Sequence, residues 1–282
     1  MDFINILKAI VLGIVEGITE WLPISSTGHM ILVDEFLKFN MSDAFKEMFL
    51  VVIQLGAIFA VVLLFWNKLW PFSKNEMYFI KKDVMMSWFK IVVACIPAAI
   101  IELLWGNVIE DLFYNPLVVS IMLIVVGILF IIVENVNKNK NSKVNSLAEI
   151  SFLTAFLIGV FQVVAAVFPG TSRSGATILG AMAIGVSRSV AAEFTFLLAV
   201  PVMFGASFIK LLKYFLTLSE VGLVMTQIEL IVLLVGMLTA FLVSIFVIKF
   251  LMDYIKKHDF KVFGWYRIVL GIIVISYFML LK

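Results

Sequence analysis

Charge is scarce in this sequence. Only 14% of its 282 residues are Asp, Glu, Lys or Arg, against about a quarter in soluble domains. The net charge is +2, too small for the basic footprint of a nucleic-acid binder. A lone cysteine, Cys95, excludes an intramolecular disulfide and reads as a small core residue. The first segment has neither the basic start nor the small-residue cleavage site of a signal peptide. Its embedded glutamates also argue that it is retained.

What fills the chain instead is apolar. Hydrophobic residues make up 63% of it, and runs of about 20 recur, each long enough to span a bilayer. Six such runs are expected at Phe45–Trp66, Met86–Trp105, Pro116–Glu134, Val190–Leu216, Ile228–Leu251 and Phe263–Leu281. Two further segments are helices broken by proline: Phe3–Trp21 with Ile24–Phe39, and the pair within Leu147–Gly185. Each reads as a re-entrant hairpin, because irregular backbone at membrane depth needs protein or a polar cavity around it.

The expected fold is therefore an all-α polytopic membrane protein. Each half is a re-entrant helix-loop-helix followed by three spans, and an odd number of spans inverts the second half relative to the first. Residues 1–134 form one half, 135–146 a solvated linker loop and 147–282 the other. Loops with Lys68, Lys74, Lys81, Lys82 and Lys90, with Lys138, Lys140 and Lys143, and with Lys249, Lys256, Lys257 and Lys261 are expected on the cytoplasmic side. The loops Trp105–Asn115 and Thr217–Gln227 hold acids and no lysine and are expected outside.

Polar side chains concentrate at the two breaks. Glu16 and Glu20 share one helix face; Pro23 ends that helix; Ser25, Ser26, Thr27 and His29 follow. Gln162 precedes Pro169, and Thr171, Ser172, Arg173, Ser174 and Thr177 follow it. Laid proline on proline, Gln162 matches Glu16 and Ser172 matches Ser26. Hydroxyls after a proline turn can simply cap the next helix, but helix starts also suit anions, and arginine suits phosphate. Carboxylates inside an apolar segment are costly and mark function by default. Two carboxylates four apart can hold a hard cation through oxygen.

These stretches resemble the signature motifs of the undecaprenyl-pyrophosphate phosphatase (bacitracin-resistance) family of bacterial membrane enzymes. The first motif is Glu16-x-x-x-Glu20 with Pro23-Ile24-Ser25-Ser26-Thr27-Gly28-His29, and the second is Pro169-Gly170-Thr171-Ser172-Arg173-Ser174-Gly175-Ala176-Thr177. Gln162 stands seven residues before its proline, one more than the family pattern. The resemblance implies hydrolysis of undecaprenyl diphosphate to undecaprenyl phosphate and inorganic phosphate. That reaction recycles the carrier lipid for peptidoglycan synthesis and confers bacitracin resistance.

On that reading Glu16 and Glu20 hold a divalent cation, Mg²⁺ or Ca²⁺. Ser26 attacks phosphorus, with Glu20 or His29 as base, and Arg173 stabilises charge. Ser25, Thr27, Ser172, Ser174, Thr177 and Gln54 line the substrate site. His29 as nucleophile, or a water, are rivals to Ser26. The expected partners are a polyprenyl diphosphate lipid and the bilayer of the bacterial cell membrane, with the site facing outward and no nucleic acid; a homodimer is left open. An inverted-repeat transporter or flippase for lipid phosphate is the competing class. Glu193 and Arg267, near span ends, are expected at the interface or as a helix–helix pair. The glycines Gly175, Gly180 and Gly185 are expected to serve close packing.

Overall fold

A computed structural model describes residues 2–73, 79–220 and 222–280, and the described residues form eleven helices. The first break lies between α1 (Asp2–Thr19) and α2 (Ser26–Leu37). Then come α3 (Asp43–Leu64), the single turn α4 (Trp66–Leu69), α5 (Lys82–Phe113) and α6 (Pro116–Asn137). The second break separates α7 (Phe152–Val167) from α8 (Arg173–Ala183). The chain ends in α9 (Arg188–Glu220), α10 (Gln227–Tyr254) and α11 (Lys261–Leu280). Among the described residues no named strand occurs. Lys74 falls outside them.

The starts of these helices follow from local chemistry. Asn115 caps α6 by accepting from the Val118 N–H at 3.0 Å, with Pro116 next, where a missing N–H costs nothing. Ser151 caps α7 through the Thr154 N–H at 3.0 Å. Thr226 and Glu229 form a reciprocal capping box on α10.

Six helices are long and apolar enough to cross a membrane: α3, α5, α6, α9, α10 and α11. Four of the expected spans fall within one of them; Phe45–Trp66 runs two residues past the end of α3, and Phe263–Leu281 ends at a residue outside the described ones. Large apolar side chains such as Leu103, Leu104, Phe208 and Phe246 stand exposed around the outside, as a lipid-facing surface requires. The protein is an all-α, multi-pass membrane protein.

Two expected loops are shorter than the charge pattern suggests. α5 continues past Trp105 through Glu110 and Asp111 to Phe113, and α9 continues to Glu220. Polar residues there extend helices beyond the apolar core rather than ending them. Lys90 lies inside α5, where it is buried and donates to the Ala148 carbonyl at 3.2 Å. The linker is also less free than a solvated loop. Lys143 and Val144 both donate to the Gly185 carbonyl, and Ser187 donates to Val144.

Packing repeats in kind along the chain. α1 lies against α10 as α7 lies against α5, while α6 pairs with α11 and α3 with α9. The crossings are close because glycine permits it. A Cβ on Gly159 would sit 2.3 Å from the Ala94 carbonyl oxygen of α5, and one on Gly56 2.0 Å from that of Met237 on α10. Of the second-hairpin glycines, Gly180 does pack, against the Phe161 ring. Gly185 instead makes the α8–α9 turn at φ +95°, and Gly175 sits beside Arg267.

Candidate active site

Both breaks turn through a serine in the left-handed region, which L-residues other than glycine seldom enter. Ser25 has φ +74° and Ser172 φ +70°. Each then caps its helix: Ser25 Oγ accepts from the Gly28 N–H at 3.3 Å, and Ser172 Oγ from the Gly175 N–H at 3.1 Å. This corrects the proline-on-proline register by one residue. Ser172 is the counterpart of Ser25, and Ser26 the counterpart of Arg173. Strain of this kind, roughly 1–3 kcal/mol per residue, persists only where the surroundings enforce it.

The enforcing group is Arg267 of α11. It is fully buried. Its Nη1 donates to the Pro23 carbonyl at 3.2 Å, and its Nη2 to the Gly170 and Thr171 carbonyls at 2.7 and 2.9 Å. One guanidinium thus satisfies carbonyls that both broken helices leave without a helical partner. Arg267 is therefore neither interfacial nor paired with Glu193, which takes Lys68 instead. A single arginine near a span end carries no sequence signal for this role.

Between the breaks, the first-motif glutamates meet the second-motif arginine. Glu20 is buried, and its Oε1 accepts from Arg173 Nη2 at 3.2 Å. Its Oε2 accepts from the Ser26 hydroxyl at 2.8 Å, and its backbone carbonyl from Ser174 Oγ at 3.1 Å. Arg173 Nη2 also reaches Gln54 Oε1 at 2.6 Å, which brings mid-span α3 into the site. Thr177 lies one turn behind, donating to the Arg173 carbonyl at 2.8 Å. Ser172 and Ser174 hydroxyls are 3.0 Å apart.

Glu16 is fully enclosed, close enough to Glu20 and Arg173 to interact with both. Its Oε1 has no hydrogen-bond partner among the described residues. An orphaned buried carboxylate oxygen beside a second carboxylate, a hydroxyl and a carboxamide is a donor set of oxygens alone. It fits a hard divalent cation that keeps several waters. Among the described residues no third Asp, Glu, His or Cys joins the pair.

His29 faces elsewhere. Its Nδ1 lies 2.7 Å from the Ser25 carbonyl, which can only accept, so Nδ1 carries the proton. Its Nε2 is 2.7 Å from the Tyr266 hydroxyl, with the rings parallel at 5.6 Å. The hydroxyl of Ser26 is thus held by Glu20, not by His29. Thr27 is half-buried and makes no hydrogen bond with the described residues. Gln162 is buried and lines a cavity with Glu20 and Arg173. Tyr266 and Arg267, like Gln54, lie outside both motifs. Both come from α11, which carries no polar cluster of its own.

Comparison with known proteins agrees with the motifs. The family model described as bacitracin resistance protein BacA matches residues 9–273. The chain is 63% identical to an undecaprenyl-diphosphatase of Desulfitobacterium hafniense, over 99% of this chain and 98% of that one. It is 64% identical to one of Lachnoclostridium phytofermentans over the full length of both. It is 62% identical to one of Enterococcus faecalis over 98% of each.

Proposed function

The chain belongs to the bacitracin resistance protein BacA family, and we propose that it is an undecaprenyl-diphosphatase of the membrane. It releases inorganic phosphate from undecaprenyl diphosphate and returns undecaprenyl phosphate to cell-wall synthesis, which is how such an enzyme confers bacitracin resistance. The observation that carries the chemistry is the Ser26 hydroxyl donating to Glu20 Oε2 at 2.8 Å, while Arg173 holds the other oxygen of that carboxylate.

In this reading Ser26 Oγ attacks the terminal phosphorus and gives its proton to Glu20. The bond to the bridging oxygen breaks, and undecaprenyl phosphate leaves with that proton from Glu20, which is again a free carboxylate. Water then attacks the phosphoserine, and Ser26 regains its proton. Arg173 has further N–H groups that make no hydrogen bond with the described residues and can face the transferring phosphoryl group. The start of α8 adds backbone N–H groups near Ser172 and Ser174. Glu16 and Glu20, with Ser26 and Gln54 nearby, would hold a divalent cation, Mg²⁺ or Ca²⁺. When bound it would neutralise diphosphate charge and polarise the phosphoryl group. His29, anchored to Tyr266, orients α2 beside the nucleophile.

The site is read as opening to the outer face of the bacterial cell membrane, with the prenyl tail lying between helices in lipid. The matching pairs α1 with α10 and α7 with α5 support two inverted halves. That architecture also suits a transporter of lipid phosphate. Phosphate release by purified protein from a prenyl diphosphate in detergent separates the two readings. Steady release that Ser26→Ala abolishes supports the enzyme. Lipid-phosphate movement across vesicles without release would replace it.

A further inference from the structure

Beside the Glu20–Arg173 pair lies a small cavity between the first break and helices α7, α8 and α9. Its water-accessible volume is about 20 Å³, and a buried water needs roughly 10–15 Å³. The polar wall is unusual in what it leaves unused. Thr195 donates to Thr177 at 2.9 Å and Thr177 donates onward to Arg173, so these hydroxyls are engaged. Trp21 is 1% exposed, yet its Nε1–H has no partner among the described residues. Gln162 is 4% exposed, and its carboxamide hydrogen-bonds none of the described residues. Both line the cavity together with Glu20.

Two buried side chains with unpartnered polar groups, both lining this space next to a carboxylate, are what a buried water site is built from. Protein groups are otherwise rarely left so. We propose that this cavity holds the hydrolytic water and that Gln162 and Trp21 position it. The inference rests on the diphosphatase reading above. Trp21 Nε1–H would occupy one lone pair of the water. Gln162 Oε1 and the Glu20 carboxylate accept its two O–H groups, and the second lone pair points at phosphorus. Water oxygen then bonds to phosphorus of the phosphoserine, and the Ser26 Oγ–P bond breaks. The water proton passes to Glu20 and from Glu20 to Ser26 Oγ, along the hydrogen bond already in place. No co-reactant is needed.

Because the site uses both O–H groups of its occupant, it also selects the acceptor: methanol has one O–H and leaves Gln162 or Glu20 unpaired. The test is product partition in the full-length protein, with farnesyl diphosphate as substrate and methanol as competing acceptor. Methyl phosphate and inorganic phosphate are resolved by phosphorus NMR. The parent protein is expected to give inorganic phosphate alone. Gln162→Ala, which widens the cavity and removes the amide, should lower kcat about 100-fold at unchanged KM and give measurable methyl phosphate. Trp21→Phe keeps the ring that meets Phe196 edge-on at 5.2 Å and removes only the N–H. It should lower kcat about tenfold with KM unchanged, and it serves if Gln162→Ala does not fold. Unchanged partition and kcat within twofold in both variants would overturn the water site, as would a rise in KM alone. Absence of turnover in the parent protein would overturn the diphosphatase reading, and the water site with it.

Discussion

Arg267 donates to the Pro23 carbonyl at 3.2 Å, and the same guanidinium holds Gly170 and Thr171 of the other break. The helix that carries it, α11, packs on α6 and lies outside both hairpins. Two turns far apart in the chain are thereby fixed to one planar group, with Ser26 just after the first and Arg173 just after the second. The distance between Ser26 and Arg173 is set by a residue whose hydrogen bonds go to neither.

Arg267→Lys should therefore fail despite keeping the charge. One ammonium cannot span three carbonyls in the plane of a guanidinium, and each buried carbonyl left unpaired costs about 1–3 kcal/mol. The expected result is a clear fall in the unfolding temperature in detergent and at least a 100-fold loss of phosphate release. A lysine variant of parent stability and rate would remove the clamp role.

Ser26→Ala should leave stability within about 0.5 kcal/mol, since the side chain is half-buried and its hydroxyl makes one hydrogen bond. Phosphate release should fall by about a thousandfold or more. His29→Ala should fall less, because its ring nitrogens are engaged by Ser25 and Tyr266 rather than by Ser26. Near-normal release from Ser26→Ala, measured with a prenyl diphosphate, would return the nucleophile role to His29 or to water.

How much of this could be read beforehand depends on what kind of signal each residue leaves. Glu16, Glu20 and Arg173 stand in apolar helices where charge is costly, so hydropathy alone exposes them. Gln54 could be noticed but not placed, because an amide in mid-span also bonds neighbouring helices. It took the fold to bring it within 2.6 Å of Arg173. The equivalence of Ser25 and Ser172 was hidden because proline fixes its own φ and leaves open which later residue turns left-handed. Arg267 was invisible as a clamp: its partners are backbone carbonyls, and carbonyls have no sequence. The ends of α5 and α9 were misplaced because apolar length marks the membrane core, whereas a helix can run on into water.

Arg173→Lys should lower kcat/KM about 100-fold or more. Arginine can hold Glu20 and Gln54 with one nitrogen and present others to phosphate; a lysine ammonium cannot do both. Gln54→Ala removes only one of those anchors and should cost about tenfold. Steady-state kinetics on both variants check the order, and a Gln54→Ala loss larger than that of Arg173→Lys would contradict it.

Chelation should abolish phosphate release, and added Mg²⁺ or Ca²⁺ should restore it. Glu16 Oε1 is buried without a partner among the described residues, beside a second carboxylate, an arrangement a cation stabilises. Glu16→Gln should raise the cation concentration needed for half-maximal rate about tenfold or more. Full activity in excess chelator would remove the cation from the mechanism.

Glu134 and Arg188 give the opposite kind of prediction, stability without chemistry. Glu134 is fully buried, accepting from Arg188 Nε at 2.9 Å and from the Phe260 N–H at 2.8 Å. It joins the end of α6 to the start of α9 and to the α10–α11 turn. Leu123, which packs on Gly28 of the site, is eleven residues earlier on α6, about 16 Å along the helix. The two partners are not equivalent, because Arg188 is partly open to solvent, with 38% of its side chain exposed. Glu134→Ala leaves an arginine that water can satisfy and should cost about 1–3 kcal/mol. Arg188→Ala strands a buried carboxylate with one N–H for company and should cost about 3–5 kcal/mol. Unfolding in detergent should rank the variants in that order, while kcat of the folded fraction stays near that of the parent. The reverse ranking would mean that the carboxylate reaches water, and a large loss of kcat would mean that this end of the bundle is coupled to the site.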